Sequence, residues 1–262
     1  MSNEAKGSIK INGSGSAGGG VYEDVKISGS GKITGDIECN EFNISGSGKA
    51  EGNIKAKEFK TSGSSKVTGD IEAEEIRVSG SSNIQGNVKC GSMRISGSCN
   101  IGKNLEGSEV EVSGSAQVDG GLHVDNVKIS GSINIKEDCE AEQFVAKGGF
   151  RIGGLLNADS IEISVGGSCS AREIGGERIE VREFLGGAFL FNKLFGFLFN
   201  QGMGLKTELI EGDDIYLEYT VAKTVRGNNI TIGKGCLIDT VEYKNDLKIL
   251  DNGSVEHQIK ID

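Results

Sequence analysis

The sequence predicts an all-β fold: a right-handed, three-sided parallel β-helix with about 17 residues per rung. Three observations carry that expectation. A Ser-Gly-Ser triplet returns every 17 residues, seven times in register, beginning at Ser28, Ser45, Ser62, Ser79, Ser96, Ser113 and Ser130. Five columns of apolar residues repeat with the same period. Between those columns the chain alternates with Lys, Glu, Asp, Asn, Arg and Ser, and period-two alternation is the pattern of a strand.

Counted from the first serine of each triplet, position 6 reads Ile33, Ala50, Val67, Ile84, Ile101, Val118, Ile135. Position 10 reads Ile37, Ile54, Ile71, Val88, Leu105, Leu122, Cys139, and position 12 reads Cys39, Ala56, Ala73, Cys90, Gly107, Val124, Ala141. Positions 15 and 17 read Phe42, Phe59, Ile76, Met93, Val110, Val127, Phe144 and Ile44, Thr61, Val78, Ile95, Val112, Ile129, Ala146. Thr61 and Gly107 are the interruptions. Helical repeats need units of more than about 30 residues, and a leucine-rich repeat needs at least about 20.

Seventeen residues give about 56 Å of path at roughly 3.3 Å each, enough for one coil of three short strands. Gly29 and its equivalents, and the Gly35, Gly52, Gly69, Gly86, Gly120 column, are expected to supply the backbone freedom of corners. Asp36, Asn53, Asp70, Asn87 and Asn104 accompany the second corner as turn-tolerant Asx residues. Each coil pairs in parallel with the next at about 4.8 Å. A right hand follows from the preference of parallel crossovers.

The register extends backwards through Ile9 and Ile11 and forwards through Ile152, Leu156, Ile161, Ile163, Ile174, Ile179 and Val181. Residues 1–183 therefore read as an N-terminal β-helix, residues 184–205 as a Phe-rich apolar insert, and residues 206–262 as a second β-helical segment. The insert carries Phe184, Leu185, Phe189, Leu190, Phe191, Leu194, Phe195, Phe197, Leu198 and Phe199 around Asn192 and Lys193. Sixteen such residues are too few for a transmembrane helix, which needs about 20. Three roles fit this composition: an anchor at a bilayer interface, a cover between the two β-helical parts, or a self-association contact.

A net charge of −10 argues against a nucleic-acid partner, which needs a basic stripe. Met1 to Gly7 show no secretory signal. Cys39 and Cys90 share one inward column three rungs, or about 14 Å, apart, beyond disulfide reach. The six cysteines read as buried free thiols, hence a reducing, cytoplasmic home. His123 and His257 are too few for acid–base or metal chemistry, and His123 should point outward. Glu74-Glu75 and Asp213-Asp214 read as solvated charge pairs. Gly227 to Cys236 faintly resembles an acyltransferase hexapeptide, without enough turns to support that chemistry. No enzyme activity and no cofactor are expected.

Repeated units such as Ile-Ser-Gly-Ser-Gly-Lys-Ile-Thr-Gly-Asp-Ile-Glu-Cys (residues 27–39) resemble the bactofilins, bacterial polymer-forming cytoskeletal proteins. The resemblance covers about residues 9–181, and residues 210–243 are similar to the C-terminal part of long members in Gram-positive bacteria. It implies a β-helix that polymerises end to end without nucleotide and serves as a scaffold for envelope-associated processes. Typical members carry flexible, proline-bearing tails, and some attach to membrane through a short N-terminal segment. Here there is no proline, no apolar N-terminus, and the body is broken by the Phe-rich insert.

Open end coils give self-assembly a physical motive, because unpaired strand edges template another copy. Ile9 and Ile11 at one end, and Leu247, Ile249, Ile259 and Ile261 at the other, are the candidate assembly residues. The expected partners are further copies of the chain, a membrane surface at the inner face of the envelope, and envelope-associated proteins. The rival expectation is a monomeric scaffold that binds one protein partner along a β-helix face.

Overall fold

The structure, a computed structural model, describes residues 7–184, 204–250 and 252–262. It is an all-β parallel solenoid of about 14 turns with about 17 residues per turn. Among the described residues there is no helix. They form two compact units: one runs to Asp125 and includes Ser132–Asn134, and the other holds Asn126–Gly131 and Ile135 onward.

In the first unit the spacing is 16 at Ile9–Ile11 and Ser14–Gly18, the register shifts between Gly18 and Gly20, and beyond that the ladder is strict. Ser81–Ile84 and Val88–Ile95 pair residue for residue with the coils before and after them, each partner 17 positions away. Val88 to Cys90 and Ser92 to Ile95 pair as separate stretches around Gly91, so each coil has three sides. Parallel pairing superimposes equivalent side chains, and this stacking builds the core. Position 15 sets Phe42 on Phe59 with ring centroids 5.7 Å apart and Ile76 next in line, all fully buried.

A sixth inward column, at position 4, was not among the five expected. It reads Gly15, Gly31, Gly48, Ser65, Ser82, Cys99, Ala116 along successive coils. Its small residues make room for position 17: a Cβ at Gly31 would lie 2.7 Å from Ile27 Cγ2, and one at Gly48 would lie 2.8 Å from Ile44 Cδ1. Ser65 and Ser82 are buried, and the Ser65 hydroxyl donates to Ser82 Oγ at 2.8 Å.

The corner glycines act differently from expectation. Gly35 and Gly52 do have positive φ (102° and 153°), yet the Ser-Gly-Ser glycines do not. They are required for space. A Cβ at Gly63 would strike the Gly46 carbonyl oxygen and sit 2.6 Å from that of Ser45. That carbonyl of Gly46 accepts the Ser64 N–H at 2.9 Å, so the coils cannot separate to admit a methyl group.

The Asx residues likewise form a ladder rather than isolated turns. Asp36 Oδ1 accepts the Asn53 N–H at 2.7 Å, Asn53 Oδ1 that of Asp70 at 2.9 Å, and Asp70 Oδ1 that of Asn87 at 2.7 Å. Each side chain satisfies a backbone donor that has turned away from its neighbour's carbonyl.

All six cysteines are free and buried, as the sequence predicts. Burial pushes the Cys39, Cys90, Cys99 and Cys139 thiols up to about 12, and those of Cys169 and Cys236 to about 11. An unfolded thiol titrates near about 8.5. The unfolded chain therefore loses protons first as pH rises, and the stability these thiols contribute is complete below that value and drains away above it.

Four measurements follow. Gly63→Ala should lower stability by about 1–3 kcal/mol in urea unfolding, while exposed Ser62→Ala stays within about 0.5 kcal/mol. Thr61, buried in the Ile44–Val78 column with no hydrogen-bond partner for Oγ1, should accept Thr61→Val with a gain of about 1 kcal/mol. Native protein should resist thiol alkylation at pH 8 and take up reagent only on unfolding. Its urea midpoint should fall from about pH 8.5 upward.

Candidate assembly ends and the Phe-rich segment

At the N-terminal end the strand Ile9–Ile11 lies on Asp24–Ile27, with Ile9 opposite Val25 and Ile11 opposite Ile27. Val25 and Ile27 are buried, whereas Ile9 and Ile11, with no coil beyond them among the described residues, are half-buried. The strand Ser14–Val21 completes this first coil by pairing on Ser30–Ile44.

The C-terminal end is organised less simply than expected. In the strand Leu237–Ile249, Leu247 and Ile249 continue the core columns of Ile230 and Ile232. Leu247 is half-buried and Ile249 is 39% exposed. The last strand, Ser254–Lys260, covers Leu237 to Tyr243 and leaves Asp246 to Ile249 open. Along it the alternation inverts. Gln258 and Lys260 face Val241 and Tyr243, while Ile259 lies on Glu242 in an outward column and is 46% exposed. Of the four residues assigned to this end, Leu247 and Ile249 thus lie in core columns. Ile259 is outward, followed by half-buried Ile261, whose N–H donates to the Tyr243 carbonyl at 2.9 Å.

In the first unit that outward column is Glu38, Lys55, Glu72, Lys89, Glu106, His123, and in the second Glu140, Asn157, Gly175, Glu211, Arg226, Glu242. Val21, on Glu38, and Ile259, on Glu242, are its apolar members. Sequence reasoning missed Val21 because it tracked inward columns; extending the period to outward positions would have exposed it.

Of the Phe-rich residues, Phe184 is described and is 45% exposed. Leu185, Phe189, Leu190, Phe191, Leu194, Phe195, Phe197, Leu198 and Phe199 lie outside the described residues. The chain leaves one coil after Glu183 and enters the next at Gly204. Ser168–Glu183 and Gly204–Leu217 nevertheless pair in parallel, from Ser168 opposite Gly204 to Val181 opposite Leu217. The coil register is thus the same on both sides of the insert.

Charged and aromatic groups join Arg182 and Glu183 to the two coils that follow. The Glu183 N–H donates to Glu218 Oε2 at 2.8 Å, and Lys234 Nζ donates to Glu183 Oε2 at 2.5 Å. The hydrogen bond to Glu183 raises the Lys234 ammonium above its ordinary value. Tyr216 donates to Glu218 Oε1 at 2.9 Å, and the Arg182 guanidinium lies 4.1 Å from the Tyr216 ring centroid. Tyr219 takes a left-handed φ of 46°, and Gly235, at φ 73°, passes so close to its ring that a Cβ would sit 2.6 Å from Cδ1. Val221 and Leu237, 43% and 58% exposed, follow Lys206 in an outward column on the coils after the insert. Sequence reasoning missed these too.

His123 and His257 are exposed, and among the described residues no group of three or more His, Cys, Asp or Glu is placed to hold a metal ion. The described geometry is a stacked solenoid whose apolar columns keep solvent exposure at Ile9, Ile11, Leu247 and Ile249. Residues 2–89, about a third of the chain, match the bactofilin family, described as polymer-forming cytoskeletal, so this stretch is a bactofilin domain. A 57-residue stretch is 53% identical to the uncharacterized protein YhbE of Bacillus subtilis (strain 168), covering 22% of this chain and 24% of that protein. A 90-residue stretch is 34% identical to the uncharacterized protein YhbF of the same organism, covering 34% of each. The matched part thus spans about a quarter to a third of the curated relatives. No solved structure matches.

Proposed function

We propose that the chain is a nucleotide-independent, self-assembling scaffold that joins copies end to end through its terminal coils. The observation that carries this reading is the state of the core columns at the ends. Ile9, Ile11, Leu247 and Ile249 continue columns that are otherwise fully buried, and all four retain solvent exposure. Burying such side chains contributes about 1.5–3 kcal/mol each, and an added coil also pairs the free backbone edge. The bactofilin match supports the same reading, since that family is polymer-forming.

The Phe-rich segment from Phe184 to Phe199 gives the scaffold a contact with the inner face of the membrane. Its aromatic content and the exposure of Phe184 at its root support this role. The protein then works in the cytoplasm at the membrane periphery, with envelope-associated proteins as clients. Reduced, buried thiols favour that compartment.

Purified protein should form filaments visible by negative-stain electron microscopy without added nucleotide. Persistence as a monomer at high concentration would support the rival, single-partner scaffold. Full-length protein should co-sediment with liposomes, and removal of residues 184–201 should abolish co-sedimentation while leaving filaments intact.

A further inference from the structure

On one side of the second unit an outward column changes character along the stack. In register it reads Arg151, Ser170, Lys206, Val221, Leu237, Ser254. The equivalent outward position of the repeat in the first unit holds Lys32, Lys49, Lys66, Asn83, Asn100 and Gln117. Val221 and Leu237 are therefore apolar where the repeat is polar, and both are exposed. Strand propensity accounts for an outward valine, but leucine is not among the residues that strands enrich.

Phe184 stands at the edge of this same side. Its N–H donates to the Val165 carbonyl at 3.4 Å, and a Cβ on Gly166 would lie 3.4 Å from its Cγ. The ring thus rests on the corner that leads into Ser168 and Ser170. The chain returns at Gly204, two residues before Lys206. Both roots of the Phe-rich segment border the side that carries Val221 and Leu237, which lie one and two coils beyond Lys206. Among the described residues the large exposed apolar side chains fall into two groups: these three, and Ile249, Leu250 and Ile259 at the C-terminal end. Scattered single residues of this kind are ordinary, whereas a cluster beside an apolar segment marks a contact surface.

The polar neighbours suit a lipid surface. Lys206 continues the column and is exposed, with no ion-pair partner among the described residues. Lys223 is held by Glu208 at 3.0 Å, and exposed Asp239 and Glu256 limit the apolar surface on the far side. Three partly exposed side chains fall short of the roughly 800 Å² per partner that a stable protein interface buries. A bilayer asks less, because apolar side chains just below the headgroups with a lysine at headgroup level hold an interfacial contact. A scaffold of many copies multiplies a weak contact.

We infer that Val221 and Leu237, with Phe184 beside them, form the face on which the second unit lies against a lipid bilayer. The column runs along the stack, so these coils lie side-on, with their stacking axis parallel to the membrane surface. This rests on the membrane role proposed above for the Phe-rich segment and adds the face of the folded coils that shares it.

The chain has no tryptophan, so Leu237→Trp places a single environmental reporter in the column. Asn157→Trp, exposed on the strand that pairs with Cys139–Ala146 and in a different outward column, is the reference. In buffer both should emit as solvent-exposed indoles. On vesicles of phosphatidylglycerol and phosphatidylethanolamine, full-length Leu237→Trp should shift to shorter wavelength and be quenched by lipids brominated on their acyl chains. Asn157→Trp should do neither. The double variant Val221→Ser with Leu237→Ser should bind vesicles about tenfold more weakly, with its circular dichroism unchanged. Lys206→Gln should lose about fivefold at low salt.

Vesicle binding by Leu237→Trp protein whose emission does not move would reject this face and spare the membrane role of the segment. Failure of the unsubstituted protein to bind vesicles would reject both. Emission already at short wavelength in buffer would also overturn the inference. If deletion of residues 184–201 then moved it to longer wavelength, the chain's own segment covers the face; if dilution did, a second copy covers it.

Discussion

The structure depends on coils stacking in parallel register, where a residue lies on its equivalent one turn away and hydrogen-bonds to the residues that flank it. A single coil has almost nothing to hold it, since its backbone groups point along the stacking axis and its apolar side chains form one thin layer. Adding a coil closes both deficits at once. The Ser-Gly-Ser corner shows how tightly this is set: the Ser64 N–H reaches the Gly46 carbonyl at 2.9 Å, and a methyl group at Gly63 has nowhere to go. The Asx ladder from Asp36 to Asn104 extends the same rule to the second corner, where side chains replace carbonyls as acceptors.

Superposition also dictates the surface chemistry. Like charges about 4.8 Å apart would repel along any outward column. Glu38, Lys55, Glu72, Lys89 and Glu106 answer by alternating sign, and Lys55 reaches Glu72 at 3.4 Å. Elsewhere the solution is lateral. Glu41 is approached by Lys26 at 2.9 Å, and Glu51 by Lys32 at 2.9 Å and by Lys49, which together hold the Glu51 carboxyl down at about 2. Glu51 is half-buried at the surface, where solvent screens such pairs, so these contacts add little stability.

The fold was legible because the repeat is written in residue types that change hydropathy: Ile, Val and Phe against Lys and Glu. What stayed hidden was written in small residues. The Gly31–Gly48–Ser65–Ser82 column is inward and necessary, yet glycine and serine carry no apolar signal, and only the position of Ile27 and Ile44 shows why they are small. The corner glycines were recognised for the wrong reason, since sequence does not distinguish a need for positive φ from a need for space. At the ends, Ile9, Ile11, Leu247 and Ile249 followed from extending the columns. The inversion at Gln258 and Ile259 did not, because it depends on where the last strand resumes pairing after a change of spacing.

That inversion changes what the terminal coil means. A strand that simply continued the core would present a wide apolar face able to accept almost any strand edge, a hazard for a protein with unpaired edges. Gln258 and Lys260 remove apolar surface from two core columns, and Ile259 moves it to an outward position where only a coil bearing an apolar partner benefits. An interior coil with Glu or Lys in that column would place a charge against Ile259 and lose the contact. The polar and apolar positions of this strand therefore disfavour pairing with the interior coils, and such discrimination comes from mismatch as much as from match.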